Sequence, residues 1–394
     1  MTHRSPAPFR ITRRTALGTL GAASLATGFT WASPGFADSS RRRGPDKDLL
    51  PGGAFDRFVA EQAAQDVFSG TVLLAHRDRP VLTRAYGMAD QRQGVPNRPD
   101  TLFNLASVTK CFTGLAIAQL VVQGKVAFHE KLGTYLGGFP AEIADVTVQQ
   151  LLTHTSGVGR PALGGGIWPT WNSVEETVEG TLGIIRSTPL QFAPGTRFGY
   201  SNDGYWVLGA IVAQVSGGSY YDYVRRHVFA PAGMTRTDFL TRPQVLADPD
   251  VARPYWTQPS GARVDFTTTP MFGFVGGPDG GAYSTAPDLL RFASALRAGR
   301  LLDPAYTELV TTAKVPVPPR PGSPATEREF ADYGFHDFVV AGQPIYGHPG
   351  SGPGVATNLD VHPGSDWVAI VLGNYDSGVK AIVQREREIS TRRA

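Results

Sequence analysis

The spacing of apolar residues changes character twice along the chain. Thr71-Val72-Leu73-Leu74-Ala75-His76 and Val81-Leu82-Thr83-Arg84-Ala85-Tyr86-Gly87 are β-rich runs on either side of Arg77-Asp78-Arg79-Pro80, a pattern that predicts a β-hairpin. Phe55, Phe58 and Val59, three and four apart, predict a short amphipathic helix before it, and Gly94 to Pro99 a turn-rich loop after it. The middle of the chain then switches to helical spacing. Val108, Phe112, Leu115, Ala116 and Val122 predict a helix over Ser107 to Gln123 that stops at Gly124; Val148 to Leu152, Val174 to Ile185 and Tyr205 to Val215 read the same way. Strand patterns return at Ala356 to Val361 and Trp367 to Leu372, around the turn His362-Pro363-Gly364-Ser365, and a last helix is predicted over Val379 to Glu388. Strands at both ends with helices between them predict an α/β (α+β) fold: one antiparallel sheet assembled from the two ends of the chain, flanked by helices, with a mostly helical domain inserted. On that reading 54–106 and 270–390 form the α/β part and 107–269 the helical part. The Pro-dense stretch Val315 to Gly322 is expected to be an exposed loop.

Charge separates a leader from the body. Met1 to Ala37 holds Arg4, Arg10, Arg13 and Arg14 and no acidic residue. Taking those four from the 37 basic residues leaves 33 against 34 acidic ones, so the net charge of +3 belongs to the leader and the body is close to neutral. A nucleic-acid partner is not expected of such a body, because it carries no basic stripe beyond Arg41, Arg42 and Arg43. Thr12-Arg13-Arg14-Thr15-Ala16-Leu17 opens a mild apolar run from Ala16 to Phe29, and Ser33-Pro34-Gly35-Phe36-Ala37 ends it with small residues. This is a signal-peptide layout of the twin-arginine type, with cleavage after Ala37 and export to a periplasmic or extracellular location. The run falls short of the roughly 20 apolar residues of a spanning helix, so no stable membrane span is expected after cleavage. Residues 38–53, rich in Arg, Asp, Pro and Gly, read as a disordered linker, and 54–390 as the functional domain. The single cysteine, Cys111, has no partner for a disulfide or a zinc knuckle.

Three segments carry candidate chemistry: Ser107-Val108-Thr109-Lys110, Tyr200-Ser201-Asn202 and His348-Pro349-Gly350-Ser351. The Ser-x-x-Lys spacing alone does not select the first, because Ser377-Gly378-Val379-Lys380 repeats it. Ser107, however, begins a predicted helix, which puts Lys110 one turn on along the same face and offers free N–H groups to a developing oxyanion. A serine hydroxyl becomes a nucleophile when a neighbour takes its proton; a desolvated lysine can do so, and a tyrosine beside a cation can share the role. Tyr200-Ser201-Asn202 also reads as a turn before a helix, and 347–354 as a tight loop entering a strand. His154 invites a triad with Ser156 or Asp145, against the plainer reading of a loop histidine satisfied by a backbone carbonyl. Gly-x-Ser-x-Gly is absent, and His129-Glu130 lacks a second histidine four residues on, so neither an α/β-hydrolase elbow nor a zinc-protease helix is present. Trp168, Trp171, Trp206, Trp256 and Tyr283 divide between cleft and core, Cys111 reads as a small buried helix residue, and Thr285-Ala286-Pro287-Asp288 as a helix cap.

Order and context resolve the ambiguity. Phe103 to Thr113, Gln150 to Val158, Pro194 to Asn202 and Gly281 to Phe292 together resemble the serine β-lactamase and DD-peptidase superfamily, in particular its class C β-lactamase-like branch. The resemblance runs from about Phe55 to Tyr375. It implies the β-lactamase/transpeptidase-like fold, a nucleophile at Ser107, and Lys110 and Tyr200 sharing its proton. It further implies that Asn202 orients the substrate amide and that the N–H groups of Ser107 and Ser351 form the oxyanion hole, with neither metal nor cofactor. Tyr200-Ser201-Asn202 stands where the class A pattern has Ser-Asp-Asn, as in class C-like members. Two departures limit the resemblance: Lys-Thr-Gly is replaced by His348-Pro349-Gly350, and its middle residue is a proline. Pro349 has neither hydroxyl nor N–H to hold a substrate carboxylate; His348 is expected to bridge to Tyr200 or to a substrate anion, with a charge that depends on pH. The activity this implies is that of an exported serine hydrolase, D-alanyl-D-alanine carboxypeptidase or β-lactamase-like, cleaving an amide or ester in a small molecule or a peptidoglycan-like peptide, with efficient β-lactam hydrolysis disfavoured. A carboxylesterase of the same branch and a non-catalytic penicillin-binding sensor are the alternatives.

Overall fold

The computed structural model describes residues 46–159, 170–319 and 327–392. The leader and residues 38–45, Trp168, and the far end of the Pro-dense stretch lie outside them. The hairpin predicted from the first apolar runs is present as β1 (Gly70–His76) and β2 (Arg79–Tyr86). Six more strands come from the C-terminal third: β3 (Val315–Pro316), β4 (Glu327–Ala331), β5 (His336–Val340), β6 (Gln343–Gly352), β7 (Val355–His362) and β8 (Trp367–Gly373). They form one antiparallel sheet in the order β2-β1-β8-β7-β6-β5-β4-β3. The two ends of the chain meet where β1 pairs β8, from Gly70 opposite Gly373 to His76 opposite Trp367.

Both faces of this sheet are covered, which explains why β1 and β8 read as continuous apolar runs rather than alternating ones. The main helices are α1 (Ala54–Ala64), α2 (Lys110–Val122), α3 (Val148–Leu152), α4 (Val174–Ser187), α5 (Asn202–Ser216), α6 (Ala286–Arg297) and α7 (Val379–Ser390). Val72, Leu74 and Val371 share a core with Phe55 and Val59 of α1 and Ile382 and Ile389 of α7. Leu73, Ala75, Ile370 and Leu372 belong instead to the larger core built on α2 and α6. Phe112 anchors it, edge-on to Phe229 and to Phe292 with ring centroids 5.0 Å apart in each case. The predicted cap of α6 is in place, with Thr285 accepting the Asp288 N–H at 3.2 Å.

Three expectations are corrected. The linker reading fails from Asp46 onward, because Lys47–Leu49 forms a 3-10 turn and Leu49, fully buried, packs into the core with Phe55. The stretch expected to be an exposed Pro-rich loop begins as edge strand β3, and Val317 is buried. Finally, α2 starts at Lys110, not at Ser107: the nucleophile candidate lies in a preceding 3-10 turn, Ala106–Thr109.

Candidate active site

That 3-10 turn is held from both sides. Ala106 adopts φ +43°, a left-handed conformation that a non-glycine residue keeps only where its surroundings enforce it. Asn104 Oδ1 accepts the Ala106 N–H at 2.8 Å, the Ala106 carbonyl accepts from Gly281 N–H at 3.3 Å, and the Leu105 carbonyl accepts the Thr357 hydroxyl of β7 at 2.8 Å. Ser107 therefore sits on a short segment clamped between the sheet and the 276–281 turn.

Lys110, one turn on, is fully buried. Its Nζ donates to Ser107 Oγ at 3.3 Å, to Asn202 Oδ1 at 2.8 Å and to the carbonyl of Asp279. Three acceptors match the three donors of an ammonium group. The Asp279 carbonyl is delivered by a tight turn in which Gly277 and Gly280 exchange backbone hydrogen bonds of 2.7 and 3.1 Å. A Cβ on Gly277 would stand 2.2 Å from the Trp206 ring, so only glycine lets the turn approach this closely.

Tyr200 lies in the extended segment before α5, and its Oη donates to Ser107 Oγ at 2.8 Å. One face of its ring stacks on His154, centroids 4.4 Å apart and planes 26° apart, while Lys110 Nζ lies 4.9 Å from its centroid. His154 is buried, and its Nδ1 accepts the Ser201 N–H at 3.0 Å. Burial, with Lys110 and His336 acting the same way, pushes its pKa well below the ordinary histidine value, which suits a neutral acceptor. Ser201 caps α5 by accepting the Gly204 N–H at 2.9 Å, and so fixes Asn202 at the helix start. His154 Nδ1 thus serves a backbone N–H in place of the triad or carbonyl contact expected of it. The ring is a brace behind Tyr200.

The third segment lies on β6. Its pairing with β5 ends at Gly347 opposite His336, whereas its pairing with β7 continues to Gly352 opposite Val355. From His348 to Gly352 one edge of β6 has no strand partner among the described residues, and the segment that leads into the 3-10 turn of Ser107 packs on the face of this stretch: a Cβ on Gly350 would stand 2.4 Å from the Leu105 carbonyl. Ser351 is exposed there. His348 is not. It is buried, its Nδ1 pairs with the Pro349 carbonyl, and its ring lies 4.5 Å from that of His336. Burial first, then His336 and Lys110, pushes its pKa well below the ordinary value. The expected bridge from His348 to Tyr200 or to a substrate anion is accordingly replaced by an inward-facing, neutral ring. His336, which the sequence did not single out, is fixed by Glu329 at 2.6 Å.

Remaining candidates fall into place around this centre. Trp206 and Tyr283 are buried, Trp171 packs over Gly180, Trp256 stands edge-on to Phe266 at 5.9 Å, and Cys111 is buried. Ser377 and Lys380, the second Ser-x-x-Lys, are exposed at the start of α7. Among the described residues, Asp360, His362 and Glu386 form the one group with metal-type donors, all within 4.8 Å. Both Asp360 oxygens are taken by Arg387 at 2.7 and 2.9 Å, and His362 pairs with Glu386 at 3.2 Å, so the group is an ion-pair network between β7 and α7.

Known proteins share stretches of this sequence and its fold. The family described as Beta-lactamase matches residues 55–391. The esterase EstB of Burkholderia gladioli is 34% identical over 277 residues, 62% of this chain and 68% of its own length. A penicillin-binding protein of Bacillus subtilis (strain 168) is 31% identical over 308 residues, 74% of this chain; the chain spans 65% of that relative's length. Among solved structures, the penicillin-binding protein from Bacillus halodurans superposes with a TM-score of 0.72 at 29% identity, covering 84% of this chain and 98% of that one. D-amino acid amidase from Ochrobactrum anthropi SV3 shares the fold, with a TM-score of 0.70 at 22% identity over 85% of this chain and 97% of its own. A match over nearly all the described residues, on a sheet and helices in the order found here, means that this chain belongs to the beta-lactamase family.

Proposed function

We propose that the chain is an exported serine hydrolase that cleaves esters, and amides of similar shape, through an acyl-enzyme on Ser107. The observation that carries the reading is the triangle in which Tyr200 Oη and Lys110 Nζ both reach Ser107 Oγ, at 2.8 and 3.3 Å. Tyr200 in its phenolate form, which the Lys110 cation against its ring stabilises, takes the Ser107 proton as Oγ attacks the substrate carbonyl. The N–H groups of Ser107 and Ser351 receive the oxyanion, and Asn202 holds both Lys110 and the substrate. Collapse breaks the bond to the leaving group, which takes the proton from Tyr200. Water then attacks the acyl carbon, giving its proton to Tyr200, which passes it to the Ser107 oxygen as the acyl bond breaks and the carboxylic acid leaves.

Neutral substrates fit best. The place where relatives with Lys-Thr-Gly present a cation and a hydroxyl holds Pro349 and an inward-facing His348. A carboxylate on the leaving side would find no charge there, which favours esters over β-lactams and carboxypeptidase substrates. Export rests on the twin-arginine layout of the leader; among the described residues no helix is long and apolar enough to cross a membrane.

Incubating the mature chain with a fluorophosphonate and weighing it tests the reading. One adduct is expected on the wild type and none on Ser107→Ala; an undiminished adduct on that variant would remove Ser107 as nucleophile. A stable adduct with labelled penicillin, without turnover of any ester or amide, would instead favour a penicillin-binding sensor.

A further inference from the structure

Resting on that hydrolase reading, we infer that an aromatic-walled pocket beside Ser107 takes the acyl half of the substrate and selects an uncharged aryl or short branched hydrocarbon group. The pocket borders Ala106, which precedes the nucleophile, and Gly352, which follows Ser351. Ser107 and Ser351 stand just outside its lining, so Ala106 and Gly352 are its links to the site, and Lys110, Tyr200, Asn202 and His154 do not line it either. The leaving group has to meet Tyr200 to collect its proton, so a pocket that Tyr200 does not border is left to the acyl side.

Its walls are hydrocarbon. Leu240, Phe266, Phe272, Phe274, Tyr283 and Val355 supply them, and among the described residues none that lines it is charged. The rings are braced, Phe266 standing edge-on to Phe272 at 6.1 Å and to Trp256 at 5.9 Å, so the shape is set before a ligand arrives. Its polar side chains are already engaged: Asn104 Oδ1 with the Ala106 N–H, and the buried Tyr283 hydroxyl with Asn104. The nearby Arg242, 5.8 Å from the Phe274 ring, directs its guanidinium to the Phe272 carbonyl and the Asn172 amide. A charged acyl group entering this pocket would lose its water and gain no partner, whereas a hydrocarbon group would lose nothing.

Size narrows the class further. The pocket holds about 180 Å³, and an apolar protein cavity of about 150 Å³ accepts a benzene molecule. A phenyl ring or a chain of a few carbons fits; a long fatty acyl chain does not.

Steady-state kcat/KM of the full chain for p-nitrophenyl acetate, phenylacetate, decanoate and hemisuccinate tests the assignment, alongside the rate of fluorophosphonate labelling. Phenylacetate is expected to exceed acetate by roughly 10- to 200-fold, the range a hydrophobic pocket gives for added apolar groups, with decanoate and hemisuccinate well below it. Two variants localise the effect. A Cβ at Gly273, on the pocket rim, would meet nothing within 4 Å, so Gly273→Leu starts a side chain there without a clash at its first carbon. It is expected to erase the phenylacetate preference, with fluorophosphonate labelling of Ser107 reporting that the variant is folded. Phe274→Ala removes a wall and is expected to weaken the same preference and to raise decanoate. Equal kcat/KM for acetate and phenylacetate on a chain whose Ser107 labels normally would overturn the pocket assignment and leave the hydrolase reading intact, as would a preference that survives both variants. Failure of Ser107 to label would overturn both.

Discussion

Gly350→Ala is expected to damage catalysis, and the size of the effect follows from the contact it breaks. The new Cβ would stand 2.2 Å from Thr357 Oγ1, 2.4 Å from the Leu105 carbonyl oxygen and 3.2 Å from Ala106 Cβ. Ordinary carbon contacts begin near 3.4 Å, so the Leu105 carbonyl has to retreat by about 1 Å. It cannot do so freely, because the Thr357 hydroxyl ties it to β7 at 2.8 Å. The turn that carries Ser107 and the strand that carries Ser351 are therefore pushed apart, and a misplacement of about 1 Å is enough to cost on the order of 100-fold in rate. Overpacking should add a stability loss of about 1–3 kcal/mol. Ester turnover, the rate of fluorophosphonate acylation and the urea midpoint of Gly350→Ala report the two effects separately. Gly352→Ala is the control: two residues along the same strand, its Cβ meets nothing within 4 Å, and near wild-type turnover is expected. A Gly350→Ala enzyme that keeps wild-type turnover would refute the idea that the close approach of β6 to the 3-10 turn assembles the site.

Three further outcomes are expected. Tyr200→Phe and Lys110→Met should each lower the acylation rate by roughly 10²- to 10⁴-fold, since each removes part of the proton route, and stopped-flow labelling at constant stability checks this; activity surviving both would point to another base. Asp332 is fully buried, neither carboxylate oxygen has a hydrogen-bond partner, and burial with Asp337 alongside pushes its pKa up to about 8. Because its folded pKa lies above the unfolded value, the wild type should lose stability as pH rises from about 4 to 8 and level off above, by as much as roughly 4 kcal/mol at pH 7. Asp332→Asn should flatten that slope in urea titrations taken at several pH values, and an unchanged slope would exclude Asp332 as its source. His362 titrates the other way: burial lowers its pKa, but Glu386 and Asp360 more than offset this and hold it above 6.5. Its contribution to stability is full below pH 6.5 and lost as pH rises through the raised value, so Glu386→Gln should remove a loss of stability in that window, read as the thermal midpoint against pH.

Legibility in the sequence tracked the distance over which each feature is decided. The hairpin 70–86, α2 and α7 depend on neighbours a few residues away, and the apolar spacing located each within a few positions. Ser107 and Lys110 are also a local matter, three residues apart on a turn that leads into a helix. The parts that escaped are settled by contacts across the chain. Lys110 meets a backbone carbonyl 169 residues away, and a carbonyl leaves no trace in residue type; the signal available was the density of glycine over 276–281, which marks a close approach without saying what approaches. His154 stood in a motif noticed for its resemblance, yet whether its ring accepts an N–H or donates to a carbonyl is decided by Ser201, 47 residues on.

His348 shows the same limit at the scale of a single pleat. Along β6 the side chains at 348 and 350 lie buried while that of 351 is exposed, so the strand's phase alone decides whether the histidine meets substrate or core. A phase shift of one residue would have turned the imidazole to the other face of the sheet. The observed phase instead places Gly350 against Leu105, the one position on this stretch of strand where any side chain would part the nucleophile turn from the sheet. Burying His348 and fitting Gly350 against Leu105 are thus one structural event, because positions two apart on a strand face the same side of the sheet.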